Sequence, residues 1–116
     1  MVLLSLDIDG TLAVGDPPGW IPLTWIHRAK ALGYLVGSAS DRTMSDQKRL
    51  WERHEIEMDF IGHKHKLDIV RAKFPEATRW IHIGDGNADY IYAVEHGFEF
   101  YWVHEVPENG TEGWIF

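Results

Sequence analysis

Pairs of aspartates follow two apolar segments of the sequence. Asp7 and Asp9 stand two residues apart after VLLSL, and Asp85 and Asp89 follow RWIHIG. Carboxylates gathered in one place repel one another, and a divalent cation offsets that repulsion. Oxygen ligands without any cysteine are typical of a Mg²⁺ site, where the ion keeps several waters and attracts phosphate. An aspartate beside such a phosphate can attack phosphorus, and a second carboxylate can transfer the protons.

A serine hydroxyl is predicted to hold another of the phosphate oxygens. Ser38 and Ser40 both lie near the end of the apolar segment YLVGSAS, so both are candidates. Ser40 is preferred because it directly precedes Asp41 and Arg42, where the apolar segment stops.

A lysine ammonium is predicted to neutralise the phosphate and the attacking carboxylate. Lys64 and Lys66 are both candidates, since they follow the apolar segment MDFIG. Lys66 is preferred because Ile69 and Val70 follow it at three and four positions, the spacing expected of a helix that begins there.

Strands and helices are predicted to alternate along the chain. Strands are predicted at 2–8, 34–40, 58–62, 79–85 and 98–103, and helices at 22–32, 45–56, 66–74 and 87–96. This order predicts one α/β domain over residues 1–116, a Rossmann-like three-layer α/β/α sandwich around a mainly parallel five-stranded sheet. Ligands of such sheets bind beyond the carboxyl ends of the strands, where the candidate residues stand.

Local patterns add three finer predictions. Alternate residues of a strand share a face, so Asp7 and Asp9 are expected to converge on one phosphoryl group. Leu32 is predicted to share the apolar face of the first helix, and Ser45 is predicted to cap the second.

The histidines are not assigned to the site. His63 and His65 flank Lys64 and could bind zinc only with further ligands, so a solvated loop is predicted there. His82 alternates with apolar neighbours in a predicted strand and is expected to be a packed residue rather than a ligand.

The motifs, taken in order, resemble those of the haloacid dehalogenase-like superfamily of phosphohydrolases. DIDGT at 7–11 resembles its first motif, DxDGT, and GDGNAD at 84–89 resembles its acidic fourth motif. Ser40 and a lysine at the start of the next helix resemble the second and third motifs. The resemblance covers residues 2 to about 103, which is nearly the whole chain.

The resemblance implies a role for each matching residue. Asp7 would be the nucleophile and a Mg²⁺ ligand, while Asp9 would be the general acid/base and would give the metal its backbone carbonyl. Asp85 would be the acidic metal ligand, and Asp89 would support the metal's waters or the lysine. The implied phosphate-binding residues are Gly10, Thr11, Ser40 and Lys66, with Lys64 as the alternative to Lys66.

The intervals between the motifs are too short for a cap, the inserted domain that closes many sites of this superfamily. Residues 12–39 and 41–65 each already hold a predicted helix. The chain therefore resembles the capless group, with a short flap near residues 14–19. An open site implies a large phosphorylated substrate or a lid from another subunit. A nucleotide, a polynucleotide end and a phosphoprotein are the substrate classes considered.

The composition excludes several other classes. With 45% hydrophobic and 25% charged residues, the chain is predicted to be an ordinary soluble globular protein. The absence of cysteine fits a reducing compartment, and the cytoplasm is expected because neither a membrane span nor a signal peptide is recognised. The net charge of −7 disfavours nonspecific binding to nucleic acid.

Two other function classes remain compatible with the sequence. One is a weak or inactive relative of the phosphatases that serves as a binding or scaffold module, and the other is a phosphotransferase. Hydrolysis is expected over transfer, because no cap excludes water. A response-regulator receiver is disfavoured, since its phosphorylated aspartate follows the third strand and the third strand here ends FIGHK.

Overall fold

Five strands and four α-helices alternate along residues 1–107, the part of the chain that the computed structural model describes. The strands are β1 (Val2–Leu6), β2 (Leu35–Ser40), β3 (Phe60–His63), β4 (Arg79–Gly84) and β5 (Glu99–Trp102). The helices are α1 (Leu23–Ala31), α2 (Met44–Arg53), α3 (Leu67–Lys73) and α4 (Asn87–Glu95), with short 3₁₀ turns at Lys64–Lys66 and Val103–Glu105.

The strands form one sheet in the order β3-β2-β1-β4-β5, and every neighbouring pair is parallel. In the register of the central strands, Leu4 lies beside Val36 of β2 and Ile81 of β4. All three are fully buried. A strand covered on both faces needs a nearly continuous apolar sequence, which is why segments such as VLLSL form the middle of the sheet.

The helices cover both faces of this sheet. Trp25 of α1 and Trp51 of α2 belong to one apolar core, and Leu67 of α3 and Ala93 of α4 belong to a second core. The predicted α/β fold with three layers is therefore confirmed, with all five strands parallel. No helix within residues 1–107 is long and apolar enough to cross a membrane.

Two local predictions about the helices are wrong. Leu32 does not share the buried face of α1, because it is the residue after the helix end and is 52% exposed. The cap of α2 is Thr43 and not Ser45, since the Thr43 hydroxyl accepts the amide of Asp46 at 3.1 Å. The helix therefore begins one residue before Ser45, at Met44.

The chain reverses its direction of travel across the sheet at β1. It first adds β2 and β3 on one side of β1 and then returns to add β4 and β5 on the other side. Connections that diverge in this way leave a crevice at the carboxyl ends of the two middle strands. Asp7 directly follows β1 and Asp85 directly follows β4, so the topology brings both carboxylates to this crevice.

Candidate active site

Three carboxylates meet beyond the ends of β1 and β4. One oxygen of each of Asp7, Asp85 and Asp89 lies within 4.8 Å of the others. The Asp7 amide donates to the Ile83 carbonyl at 2.9 Å, which extends the ladder between the strands and fixes the backbone of Asp7. Asp89 reaches the cluster from the first turn of α4. We call these three residues the carboxylate cluster.

Lys64 supplies the positive charge that faces the carboxylate cluster. Its Nζ lies 3.3 Å from Asp7 Oδ1, 3.3 Å from Asp89 Oδ1 and 3.6 Å from Asp41 Oδ2. The side chain is buried, which by itself lowers the pKa of the ammonium. The neighbouring carboxylates, with Asp7 the strongest, outweigh burial and raise the pKa of Lys64 above its usual value.

The structure brings Lys64 to the carboxylate cluster, and not Lys66, the lysine that the sequence favoured. Lys66 is exposed and lines a 260 Å³ pocket beside β3, together with Met44 and Ile69. The spacing of Ile69 and Val70 after Lys66 does not mark the buried face of α3. Ile69 is 57% exposed, and the buried face is formed by Leu67 and Val70. Lys64 stands at the start of a 3₁₀ turn directly after β3, at the sheet edge where the carboxylates lie.

Asp7 is an unusual carboxylate because its pKa is strongly raised. Burial and the charge of Asp89 raise its pKa to about 8, as does a hydrogen bond with Asp85, although Lys64 acts in the opposite direction. A divalent cation would offset these repulsions, and three carboxylates are the hard oxygen ligands that Mg²⁺ takes. The residues of the cluster therefore fit the Mg²⁺ that the motif resemblance implies.

The shifted pKa of Asp7 makes the metal-free protein less stable as the pH rises. Between about 4 and about 8, folded Asp7 holds a proton that the unfolded chain has released, so the free energy of unfolding falls with pH. We expect a fall on the order of a few kcal/mol that an Asp7→Asn variant does not share. Urea unfolding of both proteins across this pH range measures it. A difference between the two that is independent of pH would contradict the account.

Asp9 lies apart from the carboxylate cluster. Its Oδ1 accepts Arg42 Nη2 at 2.6 Å and the Asp16 amide at 2.8 Å, and its Oδ2 accepts Arg42 Nε at 3.1 Å. The hydrogen bonds from Arg42 are the main cause that lowers the pKa of Asp9. The Asp9 carboxylate is therefore held by Arg42, and the charge of Lys64, which faces Asp7, also lowers the pKa of Asp9.

In this structure the Asp9 side chain is paired with Arg42 and does not join the carboxylate cluster, so the expected convergence of Asp7 and Asp9 on one phosphoryl group stays a prediction. Strand β1 ends at Leu6, and the Ile8 carbonyl already accepts the amides of Thr11 and Leu12 in a turn. The alternation of a strand cannot be extended to Asp9 through such a turn. The role predicted for Asp9 at the metal used its backbone carbonyl, and that role stays a prediction.

The two candidate serines differ in what surrounds them. The Ser38 hydroxyl donates to Gln47 Oε1 at 2.7 Å and accepts Trp51 Nε1 at 2.9 Å, so both of its hydrogen-bonding functions serve the core. Ser40 ends β2, and its hydroxyl accepts the Arg42 amide at 3.1 Å while keeping its own proton to donate. Ser40 remains the predicted phosphate-binding serine.

The predicted phosphate contacts of Gly10 and Thr11 are not available from their amides. The Gly10 amide donates to the Pro17 carbonyl at 2.6 Å, and the Thr11 amide donates to the Ile8 carbonyl at 3.1 Å. The Thr11 hydroxyl is buried and has no hydrogen-bond partner within residues 1–107. These residues shape the loop after β1 instead, and a direct contact of Thr11 with phosphate stays a prediction.

Gly10 is required because the loop passes close to Asp85. Its φ is +79°, a conformation that favours glycine, and a Cβ at this position would overlap the Asp85 carboxylate. Gly33 has a similar φ of +86° but has no atom within 4 Å of the place that a Cβ would take. The two glycines thus share the backbone requirement and differ only in their surroundings.

This difference makes Gly33→Ala a matched control for Gly10→Ala. Both variants should lose about 1–2 kcal/mol of stability through backbone strain. Only Gly10→Ala should also displace Asp85, and we expect its affinity for Mg²⁺ to fall at least about tenfold. Calorimetric titration with Mg²⁺ measures the affinity. Equal Mg²⁺ affinities of the two variants would mean that Asp85 has no part in binding the metal.

Comparison of the chain with protein-family models, with curated proteins and with solved structures gave no match in any of the three.

Proposed function

We propose that the protein is a Mg²⁺-dependent phosphatase that hydrolyses a phosphomonoester through an aspartyl-phosphate on Asp7. The observation that carries the proposal is the environment of Asp7, a buried carboxylate that lies at the carboxyl end of a central strand. Lys64 Nζ is 3.3 Å from Asp7 Oδ1, and the oxygens of Asp85 and Asp89 lie within 4.8 Å. Carboxylates that repel one another can bind a divalent cation, and the buried ammonium beside them can bind a dianionic phosphate.

The first half of the reaction forms the bond between Asp7 and phosphorus. An Asp7 oxygen attacks phosphorus, the bond from phosphorus to the ester oxygen breaks, and the leaving oxygen takes a proton from Asp9. Lys64 neutralises charge on the phosphoryl oxygens, and Ser40 donates its hydroxyl proton to one of them. Mg²⁺ bound by Asp7 and Asp85 would supply further neutralisation of charge.

The second half hydrolyses the aspartyl-phosphate. Asp9 accepts a proton from a water molecule whose oxygen attacks phosphorus, and the bond from phosphorus to the Asp7 oxygen breaks. Inorganic phosphate leaves, and Asp7 returns to its carboxylate form. Both halves require Asp9 to leave the side chain of Arg42, which holds it as a carboxylate in this structure, and before the first half Asp9 must also take up a proton from water.

The proposed substrate class is based on the lack of an inserted cap domain. Within residues 1–107 no domain is inserted between the strands that carry the site residues. A site without a cap admits a phosphate at the end of a large molecule, so a polynucleotide end and a phosphoprotein are proposed beside a free nucleotide.

Hydrolysis of para-nitrophenyl phosphate, with Mg²⁺ and with excess chelator, tests the proposal. We expect hydrolysis that requires Mg²⁺ and returns when Mg²⁺ is restored. Folded protein that hydrolyses neither this ester nor a panel of phosphorylated nucleotides, oligonucleotides and peptides would contradict it.

A noncatalytic binding module is the second candidate, and one observation favours it. Asp9, the proposed acid/base, is paired with Arg42 through three hydrogen bonds of 2.6–3.2 Å. If that pair persists when phosphate is bound, the site binds phosphate without turnover. Protein that binds inorganic phosphate and Mg²⁺ but shows no hydrolysis would support this candidate.

A further inference from the structure

We propose that His82 is a positioning residue, which fixes the Asp89 carboxylate and through it the Lys64 ammonium that faces Asp7. The effect on catalysis rests on the proposed phosphatase function, whereas the positioning itself can be measured without turnover. His82 was expected from the sequence only to be packed in a strand, and its polar contacts go further than that.

Both ring nitrogens of His82 are engaged in the interior. Its Nδ1 lies 2.8 Å from the Ser5 hydroxyl, and its Nε2 lies 2.8 Å from Asp89 Oδ1. Ser5 and His82 are register partners on β1 and β4, and all three residues are fully buried. The two central strands therefore hold the imidazole at a fixed distance from α4, the helix that carries Asp89.

The position of one proton in the hydrogen-bonded series Ser5, His82 and Asp89 follows from which of these groups can donate. An ionised carboxylate only accepts hydrogen bonds, so His82 Nε2 carries the proton that Asp89 accepts. Nδ1 meets the Ser5 hydroxyl, which can either donate to a ring nitrogen or accept from it. Each ring nitrogen has a different partner, and the two hydrogen bonds together fix the orientation of the imidazole.

Asp89 transmits this orientation to the site. Its Oδ1 faces both His82 Nε2 and Lys64 Nζ, the latter at 3.3 Å, and its Oδ2 accepts the Gly86 amide at 3.2 Å. Without the donor at Nε2, the buried Asp89 carboxylate would lose one of these partners and would be free to turn toward Asp7 and Asp85. Lys64, which lies between Asp7 and Asp89, would then lose its fixed position.

Two substitutions of His82 separate its two hydrogen bonds. In His82→Gln the side-chain amide reaches the place of Nε2 and can still donate to Asp89. In His82→Asn the amide ends near the place of Nδ1 and can reach only Ser5. Ser38→Ala is the control for loss of a buried polar contact, since Ser38 is equally buried but bonds Gln47 and Trp51.

Calorimetric titration with Mg²⁺ provides the first readout. We expect His82→Asn to raise the Kd about 10–100-fold, while His82→Gln and Ser38→Ala stay within about threefold of the unmodified protein. Equal losses in the Gln and Asn variants would overturn the inference. An Asn variant that lowers the Tm but leaves the Kd unchanged would also overturn it, since His82 would then only pack.

Thermal unfolding without metal provides the second readout. His82 acts on Lys64 through Asp89, so the Tm shifts of His82→Asn and Lys64→Gln should not add in the double variant. The shifts of Ser38→Ala and Lys64→Gln should add. If the unmodified protein binds no Mg²⁺, the metal assignment of the proposed function fails, and the additivity of the Tm shifts alone decides for or against the positioning role.

Discussion

An Asp7→Asn variant should lose hydrolytic activity by at least about 10³-fold while staying folded. The amide cannot attack phosphorus as a carboxylate does, so the loss should appear in kcat. The same substitution replaces a buried carboxyl group whose pKa is raised by burial and by Asp89, so folding at neutral pH no longer requires that group to take up a proton. The variant should therefore be more stable than the unmodified protein at neutral pH without metal, which separates loss of chemistry from loss of fold.

The matched control for this prediction is Asp68→Asn. Asp68 is an exposed residue in the first turn of α3 and lies outside the carboxylate cluster. Its substitution removes the same charge and should leave kcat within about twofold, as for surface changes away from a site. An Asp7→Asn variant that keeps more than about a tenth of the activity would rule out Asp7 as the nucleophile.

The second large effect is expected at Lys64. Lys64→Gln removes the only ammonium within residues 1–107 that forms an ion pair with Asp7. We expect kcat/KM to fall by about 10²–10³-fold, the usual cost of removing one group that stabilises transition-state charge. Lys66→Gln, two residues away and exposed, should change it less than about twofold. The two variants are compared by steady-state hydrolysis of para-nitrophenyl phosphate.

The stability of the Lys64 variant must be measured alongside its activity. Removing one partner of a buried charged pair costs about 3–5 kcal/mol, so unfolding curves are needed for both lysine variants. Comparable losses of activity in Lys64→Gln and Lys66→Gln, with both proteins folded, would contradict the assignment of Lys64 to the site.

The architecture could be predicted from the sequence because burial on both faces leaves a clear pattern. The central strand β1, VLLSL, is apolar apart from Ser5, and turn residues separate such segments from the helices. The ends of the first and fourth strands were predicted at residues 8 and 85 and lie at Leu6 and Gly84, so they could be predicted only to within two residues. Both features depend only on residues that are neighbours in the chain, and a single sequence shows such neighbours directly.

The pairings within the site could not be predicted, because they join residues far apart in the chain. Arg42 binds Asp9 across 33 positions, and His82 joins Ser5 across 77. The choice between Lys64 and Lys66 depended on a 3₁₀ turn whose residues have no distinct spacing. The one available signal was that a polar His82 occupied a strand whose neighbouring residues are apolar.

The most direct test of the central claim is chemical trapping of the phosphorylated residue. The protein is mixed with excess substrate and Mg²⁺, quenched in acid during turnover and reduced with borohydride, which converts an acyl phosphate to an alcohol. The expected result is a homoserine at position 7, found by peptide mass spectrometry and absent when substrate is omitted. Turnover under these conditions with modification at another aspartate, or at none, would contradict an aspartyl-phosphate on Asp7.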